Sequence, residues 1–102
     1  MNKFSEIEKI IKIPGIRGVY IFDEKGKEIY RESTFSKDKE YYKEFIDFII
    51  KNKEKLPKIF YIFTETHLII IAHNEKIFLS ISFKEINLGL LRIHMKKFLN
   101  ID

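Results

Sequence analysis

The stretch "IFYIFTETHLIIIAHNEKIFLSISF" (residues 59–83) decides the fold of this chain of 102 residues. It contains three runs rich in β-branched and aromatic residues, at 59–65, 67–73 and 76–83. The segments between these runs are so short that neighbouring strands must be antiparallel. Apolar residues occupy both faces of each strand, so the sheet needs cover on both sides. The stretch therefore predicts an antiparallel sheet sandwiched between helices.

A second group of strands precedes this stretch. The segment "RGVYIFD" (17–23) is β-rich, "DEKG" (23–26) has the composition of a turn, and "KEIYRES" (27–33) returns as a more polar strand. Gly26 occupies the turn position where a positive φ is expected. The sequence predicts a β-hairpin whose second strand lies at an edge of the sheet.

A short helix is predicted over residues 5–12, before this hairpin. Ser5 and Glu8 have the spacing of a capping box, and Pro14-Gly15 ends the helix.

A longer helix is predicted over residues 37–53, with Ser36 as its N-cap. Its apolar side chains sweep an arc of roughly 200°, although a helix with one buried side needs a stripe only somewhat wider than about 100°. Either this helix lies deep within its own domain, or it meets a partner; the short chain favours the partner. The apolar residues are Tyr41, Tyr42, Phe45, Ile46, Phe48, Ile49 and Ile50.

The last helix begins at the cap Asn87 and carries one apolar packing stripe. Gly89 lies in its first turn, where glycine costs roughly 1 kcal/mol relative to alanine. Such a residue suggests that the backbone approaches another element closely. The stripe consists of Leu88, Leu91, Met95, Phe98 and Leu99.

Composition limits the class of protein. Hydrophobic residues make up 45% and charged residues 33%, which is typical of one globular domain over residues 1–102. There is no cysteine, and no apolar run approaches the roughly 20 residues of a membrane helix. We expect a cytoplasmic protein without a leader or membrane anchor. The net charge of +4 comes from 16 Lys and three Arg, which indicates a lysine-rich surface more than nucleic-acid binding.

Residues that could carry chemistry are few. The glycines form no phosphate-binding loop, and Ser80 and Ser82 lie among apolar neighbours on a strand, where we expect small, partly buried polar residues. His67 and His73 lie at opposite ends of one strand, roughly 20 Å apart at about 3.3 Å per residue, too far to share a metal. His94 has no acidic residue one turn away. We expect no catalytic residue, no metal site and no cofactor.

Two segments together resemble a known family. "IPGIRGVYIFDEKGKEI" (13–29) resembles the opening of the Roadblock / dynein light chain family, and "NLGLLRIHMKKFL" (87–99) resembles its closing helix. The order of elements between them also matches. The resemblance implies an α+β fold, α-β-β-α-β-β-β-α, whose five-stranded antiparallel sheet has the strand order 2-1-5-4-3. One helix covers one face and two cover the other, and Gly89 lets the last helix approach the sheet.

The resemblance also implies a homodimer, built through the second helix and the third strand, that joins two sheets into one of ten strands. The aromatic second helix departs from the alanine- and leucine-rich helix of relatives, which leaves the geometry of the interface open. The expected interface residues are Tyr41, Tyr42, Phe45, Phe48, Ile49, Ile59, Tyr61 and Phe63. The expected structural residues are Pro14, Gly15, Gly26, Asn87 and Gly89.

In function, the family implied by the resemblance is a set of non-enzymatic adaptors. The leading hypothesis is a homodimeric regulator that binds a small Ras-like GTPase and modulates its nucleotide cycle, similar to the gliding-motility members. The alternative is a profilin- or longin-like interaction scaffold with a non-GTPase partner. A lysine-rich nucleic-acid binder and an enzyme come after these.

Overall fold

The computed structural model describes residues 4–33 and 39–101, apart from the side chains of residues 4 and 39–42. It confirms the predicted order of elements. The elements are α1 (Phe4–Ile11), β1 (Ile16–Phe22), β2 (Glu28–Ser33), α2 (Lys39–Asn52), β3 (Ile59–Phe63), β4 (His67–His73), β5 (Ile77–Phe83) and α3 (Leu88–Leu99).

The five strands form one antiparallel sheet in the order β2-β1-β5-β4-β3, as predicted. β5 lies in the centre, and β2 and β3 form the two edges. The pairing of β1 with β5 shifts between Ile16 and Gly18, so that Arg17 is an extra residue in β1. Such a bulge turns the side chains on either side of it relative to a regular strand.

The two faces of the sheet are covered unequally, with two helices on one face and one on the other. The helices α1 and α3 pack on one face, and α2 packs on the other, which confirms the predicted arrangement. Alternation along the strands sends neighbouring residues to opposite faces. Val19, Ile21, Leu68, Ile70 and Phe78 pack with α1 and α3, whereas Tyr20, Phe22, Ile71, Ile77 and Leu79 pack with α2.

A hydrogen bond between side chains joins α1 to α3. His94 Nδ1 donates a hydrogen bond of 2.6 Å to Glu6 Oε2, and both side chains are largely buried. This hydrogen bond from His94, opposed by burial and assisted by Lys9, holds the pKa of Glu6 below its usual range. His94 therefore does have an acidic partner, and that partner comes from the other end of the chain.

The β1–β2 turn is fixed by its own backbone. Asp23 Oδ1 accepts hydrogen bonds of 2.9 Å from the amides of Lys25 and Lys27. The hydrogen bond from the Lys27 amide has the largest effect, and together with that from Lys25 it holds the pKa of Asp23 below its usual range. Gly26 has φ +90°, which confirms the predicted positive φ. A Cβ on Gly26 would lie 2.8 Å from Ile50 Cδ1, so the turn also rests closely on α2.

The ends of the helices agree with the sequence in part. α1 ends at Ile11, and the following turn includes Gly15 at φ +101°, as Pro14-Gly15 predicted. Phe4 is already helical, which places Ser5 within α1 and not at its cap. The predicted cap Ser36 of α2 lies outside the described residues.

Asn87 caps α3 as predicted, because its side chain accepts a hydrogen bond of 3.1 Å from the amide of Leu90. The prediction for Gly89 is wrong. Gly89 is exposed, and a Cβ there would meet only the Asn87 side chain, at the ordinary contact distance of 3.7 Å. The first turn of α3 is therefore not held against the sheet through Gly89.

Candidate functional site

Strand β3 is an edge of the sheet that is apolar along its whole length. Among the strands that the structure describes, it pairs with β4 alone, so one row of its backbone N–H and C=O groups points away from the sheet. Phe63, at its end, is 68% exposed, and the other four residues of the strand are half-buried. Ile59 and Tyr61 pack on the α1/α3 face and Phe60 and Ile62 on the α2 face, as the alternation predicted.

Helix α2 presents aromatic side chains beside this edge. At 100° per residue, Phe45 and Phe48 lie on one flank of the helix, and Lys43 and Asp47 lie on the other. The charged flank faces the β1–β2 hairpin, so the aromatic flank faces the side of β3. Phe48 is 53% exposed, and Phe45 is half-buried with the strand residues Phe60 and Ile62.

We call Phe45, Phe48, Tyr61, Phe63 and the free backbone edge of β3 the α2–β3 surface. These residues were predicted as interface residues. Tyr61 and Phe63 lie on the edge strand itself, and Phe45 packs with Phe60 and Ile62 of the same strand from the α2 face. Exposed aromatic groups beside an unpaired strand edge are typical of surfaces that meet another chain.

The remaining predicted interface residues differ in how exposed their side chains are. Ile49 has no exposed surface, because its side chain is buried in the core between α2 and the sheet. The prediction that Ile49 contacts a partner is therefore wrong. Ile59 is half-buried and remains a candidate. The side chains of Tyr41 and Tyr42 lie outside the described residues.

His73, Ser80 and Ser82 are polar residues buried in the packed interior. His73 is fully buried, its Nε2 donates to the carbonyl of Pro57 at 2.9 Å, and burial lowers its pKa. Ser80 and Ser82 are fully buried, more than the predicted partial burial. Across residues 4–33 and 39–101, no group of three or more metal-binding side chains comes together. None of the helices described is long and apolar enough to cross a membrane.

Three side chains from β1, β4 and β5 form a stack that was not predicted from the sequence. The Phe83 ring lies 5.4 Å from the His67 ring, and the Arg17 guanidinium lies 5.1 Å from the centre of the same Phe83 ring. A regular β1 strand would place Arg17 on the opposite face from Phe83. The bulge at Arg17 brings the two together, and the signal that could have marked it is Gly18, an isolated glycine within the strand.

Solved structures share this arrangement of helices and strands. A Roadblock/LC7 domain from Streptomyces avermitilis superposes with a TM-score of 0.67 and 6% identity, over 92% of this chain and 88% of that chain. The chain has the Roadblock fold. The gliding protein MglB from Thermus thermophilus superposes with a TM-score of 0.71 and 11% identity, over 94% of this chain and 82% of that chain.

A structure of MglB with a tetrameric arrangement also has the Roadblock fold, with a TM-score of 0.67 and 11% identity over 94% of this chain and 81% of that chain. Comparison of the sequence with models of protein families gives no match, and neither does comparison with curated proteins. Identities this low establish the fold alone. They confirm, at that level, the resemblance carried by residues 13–29 and 87–99.

Proposed function

We propose that this chain is a non-enzymatic regulatory module that acts as a homodimer and binds a small Ras-like GTPase. The observation that carries the proposal is the α2–β3 surface. An apolar strand edge left open to water is a liability unless another strand pairs with it. Phe48 and Phe63, which are 53% and 68% exposed, lie where a second copy would cover them.

In the proposed dimer, β3 of one protomer pairs with β3 of its partner across a two-fold axis. The two sheets then form one sheet of ten strands, and the aromatic flanks of the two α2 helices face each other. Phe45, Phe48 and Phe63 supply apolar area, and the strand backbones supply hydrogen bonds. Tyr41, Tyr42, Ile59 and Tyr61 complete the proposed interface.

The GTPase partner is proposed from the resemblance to the Roadblock / dynein light chain family, whose members dock onto small GTPases. The MglB structures support a regulatory role, since one is named as a gliding protein, and they support self-association, since another is named for its tetrameric arrangement. A rigid dimer offers a surface composed of two protomers, which can hold a GTPase in one conformation and so change its rate of nucleotide hydrolysis. Such a protein acts in the cytoplasm, without a cofactor or catalytic group of its own.

Sedimentation velocity tests the dimer, and GTPase titration tests the partner. We expect a dimer at micromolar concentration, which binds a small Ras-like GTPase encoded beside it and alters its rate of GTP hydrolysis. A monomer at these concentrations would contradict the proposed dimer. A stable dimer that binds none of these GTPases would contradict the partner and favour the profilin- or longin-like scaffold.

A further inference from the structure

A cleft with a volume of about 450 Å³ lies between the β1–β2 hairpin and α2. Its position is on the opposite flank of α2 from Phe45 and Phe48, so it is separate from the α2–β3 surface. We call it the lysine cleft. Its lining residues are Phe22, Lys25, Gly26, Lys27, Glu28, Arg31, Lys43, Ile46 and Asp47.

The charge in the lysine cleft is unbalanced. Lys25, Lys27 and Lys43 make no ion pair with any residue in the part of the chain that the structure describes. Arg31 is paired, with its Nη2 atom 2.6 Å from Glu28 Oε1. Asp47 is the remaining carboxylate of the lining. Cations that converge on a cleft raise its potential and attract anions.

The walls of the cleft are held in place. The hairpin turn is closed by the hydrogen bonds of Asp23 and rests on α2 through Gly26, as described above. Arg31 is fixed by a second hydrogen bond of 2.8 Å from Nε to Glu28, and its guanidinium lies 5.8 Å from the centre of the Tyr20 ring. A preformed site loses less entropy when a partner binds.

The amides of the turn decide which anion fits. Phosphate sites commonly use several backbone N–H groups that point at one anion. Here the amides of Lys25 and Lys27 donate to Asp23 Oδ1, and that of Gly26 donates to the Asp23 carbonyl. The lysine cleft therefore offers separate ammonium groups and no cradle of amides, which suits carboxylates spaced along a chain.

The floor of the cleft is apolar. Phe22 and Ile46 line the cleft and belong to the core on the α2 face. A partner with an apolar side chain between acidic ones can bury that side chain against this floor while its carboxylates meet Lys25 and Lys43.

We infer that the lysine cleft binds an acidic segment of a protein partner, with glutamate or aspartate side chains on either side of one apolar residue. This site goes beyond the proposed function, because it does not depend on the dimer or on a GTPase. Binding at such a site weakens as salt rises, because the charges are partly exposed.

The test is fluorescence anisotropy with a labelled peptide in which three glutamates stand on each side of one leucine. We expect the double variant Lys25→Gln, Lys43→Gln to bind it at least about tenfold more weakly than the native chain. The matched control is Lys12→Gln, Lys84→Gln, which removes two exposed lysines outside the cleft and leaves the affinity unchanged. Circular dichroism checks that both variants fold.

Three outcomes would overturn the inference. They are no binding of the peptide to the native chain, equal loss in the control variant, and equal binding of a peptide with glutamine in place of glutamate. Inorganic pyrophosphate serves as a further probe. If pyrophosphate shifts the amide resonances of Lys25 and Lys43 while the peptide does not, the cleft binds a small anion and the inference is wrong.

Discussion

The two edge strands of the sheet, β2 and β3, have opposite chemistry. Strand β2 carries the exposed charged residues Arg31 and Glu32, together with the pair of Glu28 and Arg31. Strand β3 (Ile59–Phe63) carries no charged residue at all. Charges on an edge strand discourage pairing with another chain, and an apolar edge invites it. We call the charged edge at β2 guarded and the apolar edge at β3 open. With one edge of each kind, association through strand pairing would stop at a dimer, because only a second open edge would allow a filament to grow.

The largest effect that we expect comes from placing charges on the α2–β3 surface. The double variant Phe48→Lys, Phe63→Lys replaces two exposed aromatic side chains that the proposed dimer buries. Each substitution is present in both protomers, so four interface anchors are lost; at about 1 kcal/mol for each, the dissociation constant should rise about a thousandfold. Sedimentation equilibrium measures this change.

The matched control for that variant is Ile29→Lys on β2, where the native side chain is 41% exposed. It adds a charge at the guarded edge and should leave the dimer unchanged. If Ile29→Lys dissociates the dimer as strongly as the double variant does, the proposal that the interface lies at β3 and not at β2 is wrong.

A smaller effect is expected where β2 joins the sheet. Gly18 pairs with Ser33, and a Cβ on Gly18 would lie 3.0 Å from Tyr20 Cε1 and 3.2 Å from Ser33 Oγ. Gly18→Ala should therefore disturb the 2.8 Å hydrogen bond that Tyr20 donates to Ser33. We expect a loss of about 1–2 kcal/mol in the free energy of unfolding, measured with denaturant. Unchanged stability would show that the Tyr20 ring moves aside freely.

The opposite sign is expected at Gly89, which lies on neither edge. Its surroundings leave room for a methyl group, so Gly89→Ala should stabilise the chain by about 0.5–1 kcal/mol through helix propensity. Thermal unfolding measures the gain, and sedimentation should show the same dimer. If Gly89→Ala is less stable than the native chain, the earlier prediction that α3 approaches the sheet closely at Gly89 is supported after all.

The smallest effect is an acid dependence of the hairpin that carries β2. The pKa of Asp23 is lower in the folded chain than in the unfolded one, chiefly because the Lys27 amide donates to its carboxylate. Its contribution to stability is fully present above the unfolded value of about 3.9 and is lost as pH falls through the folded value.

Asp23→Asn removes this dependence. Hydrogen exchange of the hairpin amides should show less protection than in the native chain at neutral pH, and a shallower further loss in acid. Amides of β3 serve as the internal control, since Asp23 lies in the turn at the other edge. An equally steep acid loss in Asp23→Asn would assign the effect to another carboxylate, such as Glu6.

The sequence predicted those features of the fold that depend on residues close to one another in the chain. The alternation of residues 59–83 predicted the strands, and Asn87 and Gly26 have the cap and the positive φ that their residue types favour. Gly89 shows the limit of this reasoning. The sequence indicated that Gly89 allows close packing, but Gly89 has room around it, and close approach to other elements occurs at Gly26, against Ile46 and Ile50, and at Gly18. Which surfaces touch depends on tertiary packing, which periodicity does not contain.

Contacts between residues that are far apart in the chain could likewise not be predicted from the sequence. Glu6 and His94 are separated by 88 positions, and nothing in the local sequence of α3 points to α1. The burial of Ile49 depends on how α2 is rotated against the sheet, since an apolar arc of about 200° allows more than one orientation. The lysine cleft needed both the hairpin and α2 in place before its charges could be seen together.

The hairpin's place at the outer edge has a consequence for avidity. In a ten-stranded sheet built on β3, the two β2 strands lie furthest apart, and a lysine cleft lies near each. With strands about 4.8 Å apart, the two clefts are separated by roughly 40 Å. A partner with two acidic segments joined by a linker of that reach would bind both at once, and its second attachment would be intramolecular. The dimer would then bind most tightly those partners whose two acidic segments can span the distance between the clefts.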